Sequence, residues 1–353
     1  MKLRAEVVFL DQHTMPTDVM PTDVINPNEI EPKLGVSAAD SAAQAHQADQ
    51  AHQADKAHQA DQVHEADKAH EADTAASASL ADAAWKRPWW RPAKGAWPTF
   101  GWVVVIHLTA LAGLILIPLP GWGIFGLALA LTWLGGLGTT VAYHRAIAHR
   151  SVKLHPVVRQ TLTFFAMLNG SGAPLSWAAN HRLHHAKSDT YDDISSPKTG
   201  GFWWSHLRWL WQAQAASPAK YCRDLDQISY RVWSHLQIPV LALSFFGGLA
   251  LGWAGFFWLG AIRLVYSLHA QCCVNSVCHL EKEQTGLGED SSRNVGWLGI
   301  VHLFQGENWH HNHHVRPGSA KFGWTRWQLD VGWWTILLLQ KVGLAKDVRS
   351  QSL

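Results

Sequence analysis

The stretch WGIFGLALALTWLGGLGTTVAYHRAIAHRS, residues 122–151, decides the fold. Trp122–Val141 carries no charged side chain. A run of about twenty apolar residues is what a helix needs to cross the hydrocarbon core of a bilayer. The run then ends in His144, Arg145, His149 and Arg150. Working outward, Phe100–Pro118 is a second such run, joined to the first by a turn of Pro118, Pro120 and Gly121. Val232–Leu251 and Ala254–Ser276 make another pair around Gly252 and Gly255. The pattern predicts an all-α integral membrane protein with four transmembrane helices in two hairpins. Leu236 opens the clean apolar part of the third span, so that span is short or its ends snorkel. Arg263 in the fourth should face the bundle or a polar cavity. A fifth run, Thr161–Ala173, is interrupted by Asn169, Gly170 and Ser171 and reads as interfacial or re-entrant.

The whole-chain averages over 353 residues hide two unlike parts. Residues 1–84 carry a net charge of −10 and one aromatic residue, Phe9; residues 85–353 carry +12 and all 21 Trp. That excludes a single soluble globular domain. Four cysteines without framework spacing exclude a disulfide scaffold, and the balance of charge excludes a strongly basic nucleic-acid binder. Val7–Leu10 is too short for a secretory leader. Residues 45–74 repeat a hexapeptide of the type AHQADQ five times. A period of six advances roughly 240° on a helix, so no apolar stripe forms. Residues 1–84 therefore read as a low-complexity tail, either a solvated helix or a disordered coil, and residues 85–353 as the membrane domain.

Charge sets the expected orientation. Lys86, Arg87, Arg91 and Lys94 precede the first span, and the loop 142–231 carries eleven Lys/Arg, whereas the two hairpin turns carry none. The positive-inside rule then puts both termini and the long loop in the cytoplasm. Trp85, Trp89, Trp90 and Trp97 stand where an aromatic belt would form.

The histidines give this topology chemical meaning. Sixteen of 22 lie in the body, and nine cluster: His144 and His149; His181, His184 and His185; His279; and His310, His313 and His314. With four spans, all four groups emerge on one membrane face. In each HxxHH run, positions i, i+3 and i+4 share one helix face. His144 and His149 stand about 140° apart on a regular helix, so they reach different metals or the helix breaks between them. Nine imidazoles suit two metals at four or five ligands each. Imidazole serves Fe, Zn, Cu and Ni alike, so ligand type does not choose. His107, His155, His206, His235 and His302 read as ordinary surface or core residues; His269 and His311 lie close to the clusters and are less clear-cut. Cys272, Cys273 and Cys278 read as small apolar packing residues.

These boxes resemble those of the membrane fatty acyl desaturases of the stearoyl-CoA and acyl-lipid type, including bacterial relatives. HRAIAHRS (144–151) matches the first box, NHRLHHAKSDT (180–190) the second, NSVCH (275–279) an Asn-x-x-x-His element, and GENWHHNHH (306–314) the third. GFWWSHLRWLW (201–211) and FGWTRWQLDVGWW (322–334) also look like family segments. The resemblance covers roughly residues 97–347. It departs at Asn308 and His311, where the family often has Gly and Asn, and at Asp193-Ile194-Ser195, where it often has Asp-Pro-His.

The resemblance implies a cytoplasmic helical cap over four spans, holding a diiron centre. Its metal ligands and catalytic residues would be His144, His149, His181, His184, His185, His279, His310, His313 and His314, with Asn275 holding a water ligand. It implies O₂-dependent introduction of a double bond, cis and at the Δ9 position, into the saturated chain of an acyl-CoA or acyl-lipid. Arg145, Arg150 and Arg182 would attract a phosphate-bearing headgroup. The tail has no Cys, so it does not read as a fused iron–sulfur carrier, and the 39 residues after His314 read as too few for a fused haem domain. Electrons would come from a separate ferredoxin or cytochrome with its reductase. Two other readings share part of this pattern: a diiron lipid hydroxylase, which would leave oxygen in the product, and a non-enzymatic membrane metal-binding protein, which would carry ligands along a path through the spans.

Overall fold

A computed structural model describes residues 83–225, 228–281 and 290–350. The hexapeptide repeats and nearly all of the tail lie outside the described residues.

Three apolar helical runs are long enough to cross a membrane: Trp97–Leu116, Trp122–Ala148 and Ile228–Val277, of 20, 27 and 50 residues. The first is helix α1. Pro98 occupies its opening turn, where the missing N–H costs nothing. The second opens as α2, Trp122–Leu137, and continues as a π-helix over Gly138–Ala148. A straight helix of 50 residues would be about 75 Å long, more than twice the roughly 30 Å hydrocarbon core. Instead the third run doubles back. After α3, Ile228–Phe246, and a short 3₁₀ turn, Gly252 adopts φ 78°, a conformation open to glycine. A Cβ on Gly248 would lie 2.2 Å from the Gly255 carbonyl oxygen, so the two limbs meet backbone to backbone. The return limb is π-helical over Phe256–Ile262 and α-helical over Arg263–Val277 (α4).

The start of α3 departs from the apolar reading, which began the third span at Val232. Helix α3 begins at Ile228, and its first turns face protein: Tyr230 is buried and accepts from Arg159 at 3.2 Å, while Trp233 donates to Gln160. Polar residues there satisfy neighbouring side chains rather than interrupting a span.

Between the second and third runs lie two helices, Pro156–Leu168 and Pro174–Lys187. Thirteen residues make about 20 Å, too short to cross, and Gly170 (φ 81°) reverses the chain. The interrupted fifth run, read as interfacial or re-entrant, is thus a helical hairpin too short to span. Arg263 binds its tip: Nη1 donates to Asn169 Oδ1 at 2.9 Å, Nη2 to the Leu168 carbonyl at 3.1 Å. The buried arginine thus faces the bundle, as its place in a span required.

Trp89, Trp90 and Trp97 are more than half exposed. Trp85 instead stacks on Tyr191 at 6.1 Å and meets Trp204 edge-on at 6.0 Å. Trp211 Nε1 donates to the Trp89 carbonyl at 2.7 Å and Gln212 Nε2 to that of Pro88 at 2.7 Å. The segment before α1 is therefore strapped to residues 204–212. The largest core cluster lies under the histidines, with Val141, Ala142, Tyr143, Ala178, Ala179 and Ile336 almost fully buried.

Candidate metal centre

The nine clustered histidines fall into two groups. His144, His149, His181, His185 and His313 form one, and His184, His279, His310 and His314 the other; within each, the ligand atoms lie within 4.8 Å of one another. This division into five and four is the one the count of nine suggested.

The π-helix explains how His144 and His149 enter the same group. The His149 N–H donates to the His144 carbonyl at 3.1 Å, an i+5 to i bond that brings these residues one turn apart. The helix ends there, with Arg150 at φ 53°. Neither option left by regular helix geometry is realised: the helix runs unbroken from Gly138 to Ala148, and its wider π winding carries both rings to the same group. The 140° estimate failed because it assumed 3.6 residues per turn.

In the second group, His184 Nε2 lies 3.2 Å from His279 Nε2, His279 Nε2 2.9 Å from His310 Nε2, and His310 Nε2 3.0 Å from His314 Nε2. In the first, His144 and His185 each place Nε2 2.9 Å from His313 Nε2, and His149 Nε2 lies 2.7 Å from His181 Nε2. The opposite ring nitrogen fixes the tautomer of three rings. Glu307 takes the Nδ1–H of His144 at 2.8 Å, Asp193 that of His184 at 2.9 Å, and Asp290 that of His314. A carboxylate only accepts, so Nδ1 carries the proton and Nε2 its lone pair. Lone pairs converging in this way repel unless a cation lies among them, so the donor set fits a metal ion.

The electrostatics agree. Burial, then neighbouring imidazoles and cations, holds His149, His181, His185, His313, His310 and His314 well below the ordinary histidine range. Burial, with His184 beside it, brings His279 to about 4. These rings are neutral near pH 7, the state that ligates metal. His184 is the exception: burial opposes its charged form, but Asp193 outweighs that and raises it. Burial alone would raise Glu307; His144, followed by Arg145, overrides it and holds the carboxyl at about 2.

The remaining histidines lie outside both groups. His311 is buried, with Nδ1 3.2 Å from Ser292 Oγ. His269 joins His107 (3.0 Å) and His206 (2.9 Å) in a chain that ties α1, α4 and residues 204–208 together. His155 accepts from the Val157 N–H at 3.4 Å, at the start of the helix Pro156–Leu168. His302 lies 2.8 Å from the Ala270 carbonyl, and His235 is exposed.

A cavity of about 500 Å³ reaches His144, His184 and His310 and runs between the apolar helices past Thr132, Leu264 and Ile106 to Pro98 and Ile238. Asn275 also lines it.

The geometry corrects the role given to two arginines. Arg145 is fully buried: Nε donates to the Ala320 carbonyl at 2.9 Å, Nη2 to Asp330 at 2.8 Å, and the guanidinium lies 3.7 Å from the centre of the Phe322 ring. Arg182 spends its donors on the carbonyls of Ala148, Ile147 and Tyr221 and on both oxygens of Asp224. Neither presents a cation to a headgroup; Arg150, 56% exposed, remains available. Sequence reasoning also missed Glu307, Asp193 and Asp290. None stands in a spacing pattern that marks it, and each is legible only once the fold brings it behind a ring.

Apolar helices over a buried cluster of nine imidazoles define a membrane metalloprotein with a cavity reaching its metal-binding face. The sequence model of the fatty acid desaturase family matches residues 120–335, and the chain belongs to that family. The sn-2 palmitoyl-lipid 9-desaturase of Nostoc sp. (strain 36) is 34% identical over 73% of this chain and 94% of the relative. The Δ9 acyl-lipid desaturase 2 of Arabidopsis thaliana is 35% identical over 61% and 71%. The sn-1 stearoyl-lipid 9-desaturase of Anabaena variabilis is 34% identical over 71% and 95%. The protein is thus an oxidoreductase, a fatty acyl desaturase, and the hydroxylase and non-enzyme readings are not favoured.

Proposed function

We propose that the protein introduces a cis double bond at the Δ9 position of an acyl chain carried on a glycerolipid. The observation that carries this reading is the five-and-four division of the nine histidines at one end of an apolar cavity. Its relatives' names support the lipid carrier and the position. The nine histidines would hold two iron ions, and Asn275 would hold a water ligand.

Breaking an unactivated C–H bond lies beyond side-chain acids and bases, whose reach is proton transfer; iron with O₂ supplies that oxidising power. The balance is two hydrogens from neighbouring carbons, with two electrons and two protons from outside, reducing O₂ to two waters. The rest is the work of the chain. The cavity lays the acyl chain along apolar walls and excludes water. Glu307, Asp193 and Asp290 fix ring orientation. A separate ferredoxin or cytochrome delivers electrons at the cap.

The third apolar run counts as two spans, giving four in all. Both termini and the metal centre then lie in the cytoplasm. Exposed residues Tyr191 and Leu119 test this. Tyr191→Cys and Leu119→Cys, in a background without native cysteines, should react with an impermeant thiol reagent from opposite sides. Reaction of both from one side defeats the topology.

The activity itself is tested in a host lacking unsaturated fatty acids, by mapping the double bond within each lipid class. A Δ9 alkene first appearing in glycerolipid, without retained oxygen, is expected. An alkene confined to the thioester pool, or at another carbon, overturns the finer assignment.

A further inference from the structure

The surroundings of the ring nitrogens that face away from the two clusters are unequal between the two histidine groups. In the group of four, Asp193 and Asp290 stand behind His184 and His314, and Ser291 Oγ, which donates to Asp189 at 2.8 Å, lies 3.5 Å from His279 Nδ1. Among the described residues, neither Asp193 nor Asp290 pairs with an arginine or lysine. In the group of five, only His144 has a carboxylate behind it, and that carboxylate, Glu307, lies 3.9 Å from Arg145. No carboxylate among the described residues bonds to His149, His181, His185 or His313; one ring in each group, His310 and His313, has an Nδ1 without a hydrogen-bond partner, so the difference between the groups lies in their carboxylates.

We propose that Asp193, Asp290 and Glu307 are positioning residues that divide the centre into two electrostatically unlike halves. Four imidazoles backed by two uncompensated carboxylates make one half. Five imidazoles backed by one carboxylate, itself shared with Arg145, make the other. This rests on the two-iron reading above. A carboxylate behind a ligating imidazole fixes its tautomer and raises its basicity. A cation in the four-histidine half is therefore held largely by charge, and one in the five-histidine half largely by ligand number. Neutralising Asp193 or Asp290 should then disturb one metal and spare the other.

The test uses the full-length protein grown on enriched iron, with Mössbauer spectra and the rate of iron loss to a chelator as readouts. Asp193→Asn, Asp290→Asn and Glu307→Gln each keep an acceptor oxygen while removing the charge. Wild type should hold two irons per chain with two distinct signals of equal area. Asp193→Asn and Asp290→Asn should weaken the same signal, with iron leaving that half about 10–100-fold faster. Glu307→Gln should weaken the other. Should Asp193→Asn fail to insert, Ser195→Ala, which removes a hydroxyl 3.3 Å from Asp193, should produce a milder loss of the same signal. Loss of the same signal in all three, parallel loss of both, or unchanged spectra and rates overturn the proposal. A wild type without two irons defeats the two-iron reading instead.

Discussion

Replacing His184, His279 or His313 by alanine is expected to abolish the alkene product while the protein still inserts into the membrane. Each ring places Nε2 within 3.2 Å of a neighbouring ring's Nε2 in its group. Losing a carboxylate or carbonyl behind a ligating ring typically costs 10–100-fold. Removing the ring itself removes a donor and leaves a gap in a buried polar cluster, so product should fall below about 1% of wild type. Iron per chain should fall with it. His235→Ala supplies the contrast, since that exposed side chain touches neither group. Product at the wild-type level from His184→Ala, or a single zinc and no iron after growth in iron-replete medium, would defeat the diiron assignment.

The parts of this architecture carried by length and composition were legible in the sequence. Trp122 opens the second helical run where the apolar pattern placed it, and the interrupted fifth run is a hairpin too short to span. The nine clustered histidines come together in two groups of five and four, as their count suggested. Features that depend on departures from regular geometry were not legible. Nothing in GTTVAYHRAIA marks a π-helix, yet that geometry decides the fate of the His144/His149 pair. Long-range partners were silent too: Glu307 and His144 are 163 positions apart, and Asp290 and His314 are 24 apart with no repeat between them. Arg145, Arg150 and Arg182 looked equivalent as cations near histidines. Burial separates them, and a residue's burial depends on elements that arrive much later in the chain.

That separation gives the second large effect. Arg145→Leu is expected to destabilise the folded protein severely, whereas Arg150→Ala should cost little. Arg145 bridges the π-helix to the C-terminal part. Its guanidinium donates to Thr140, to the Ala320 carbonyl and to Asp330, and its face covers Phe322. Asp330 in turn accepts from the backbone N–H of Phe322 at 2.8 Å and caps the helix Val331–Lys341 through the Trp333 N–H. Removing the cation leaves Asp330 and Glu307 as buried carboxylates without it. Breaking a buried pair from one side costs about 3–5 kcal/mol, a large share of the 5–15 kcal/mol by which folded domains exceed unfolded ones. The thermal midpoint of detergent-solubilised protein should drop on the order of 10 °C, with loss of folded yield. Arg145→Lys should recover little of this, because an ammonium cannot reach three acceptors in a plane and also cover a ring. Arg150 is 56% exposed and lies 3.5 Å from Asp224, so its loss removes a solvated ion pair worth at most about 1 kcal/mol. Equal midpoints for Arg145→Leu and Arg150→Ala would show that the buried bridge does not hold the C-terminal part to the metal centre.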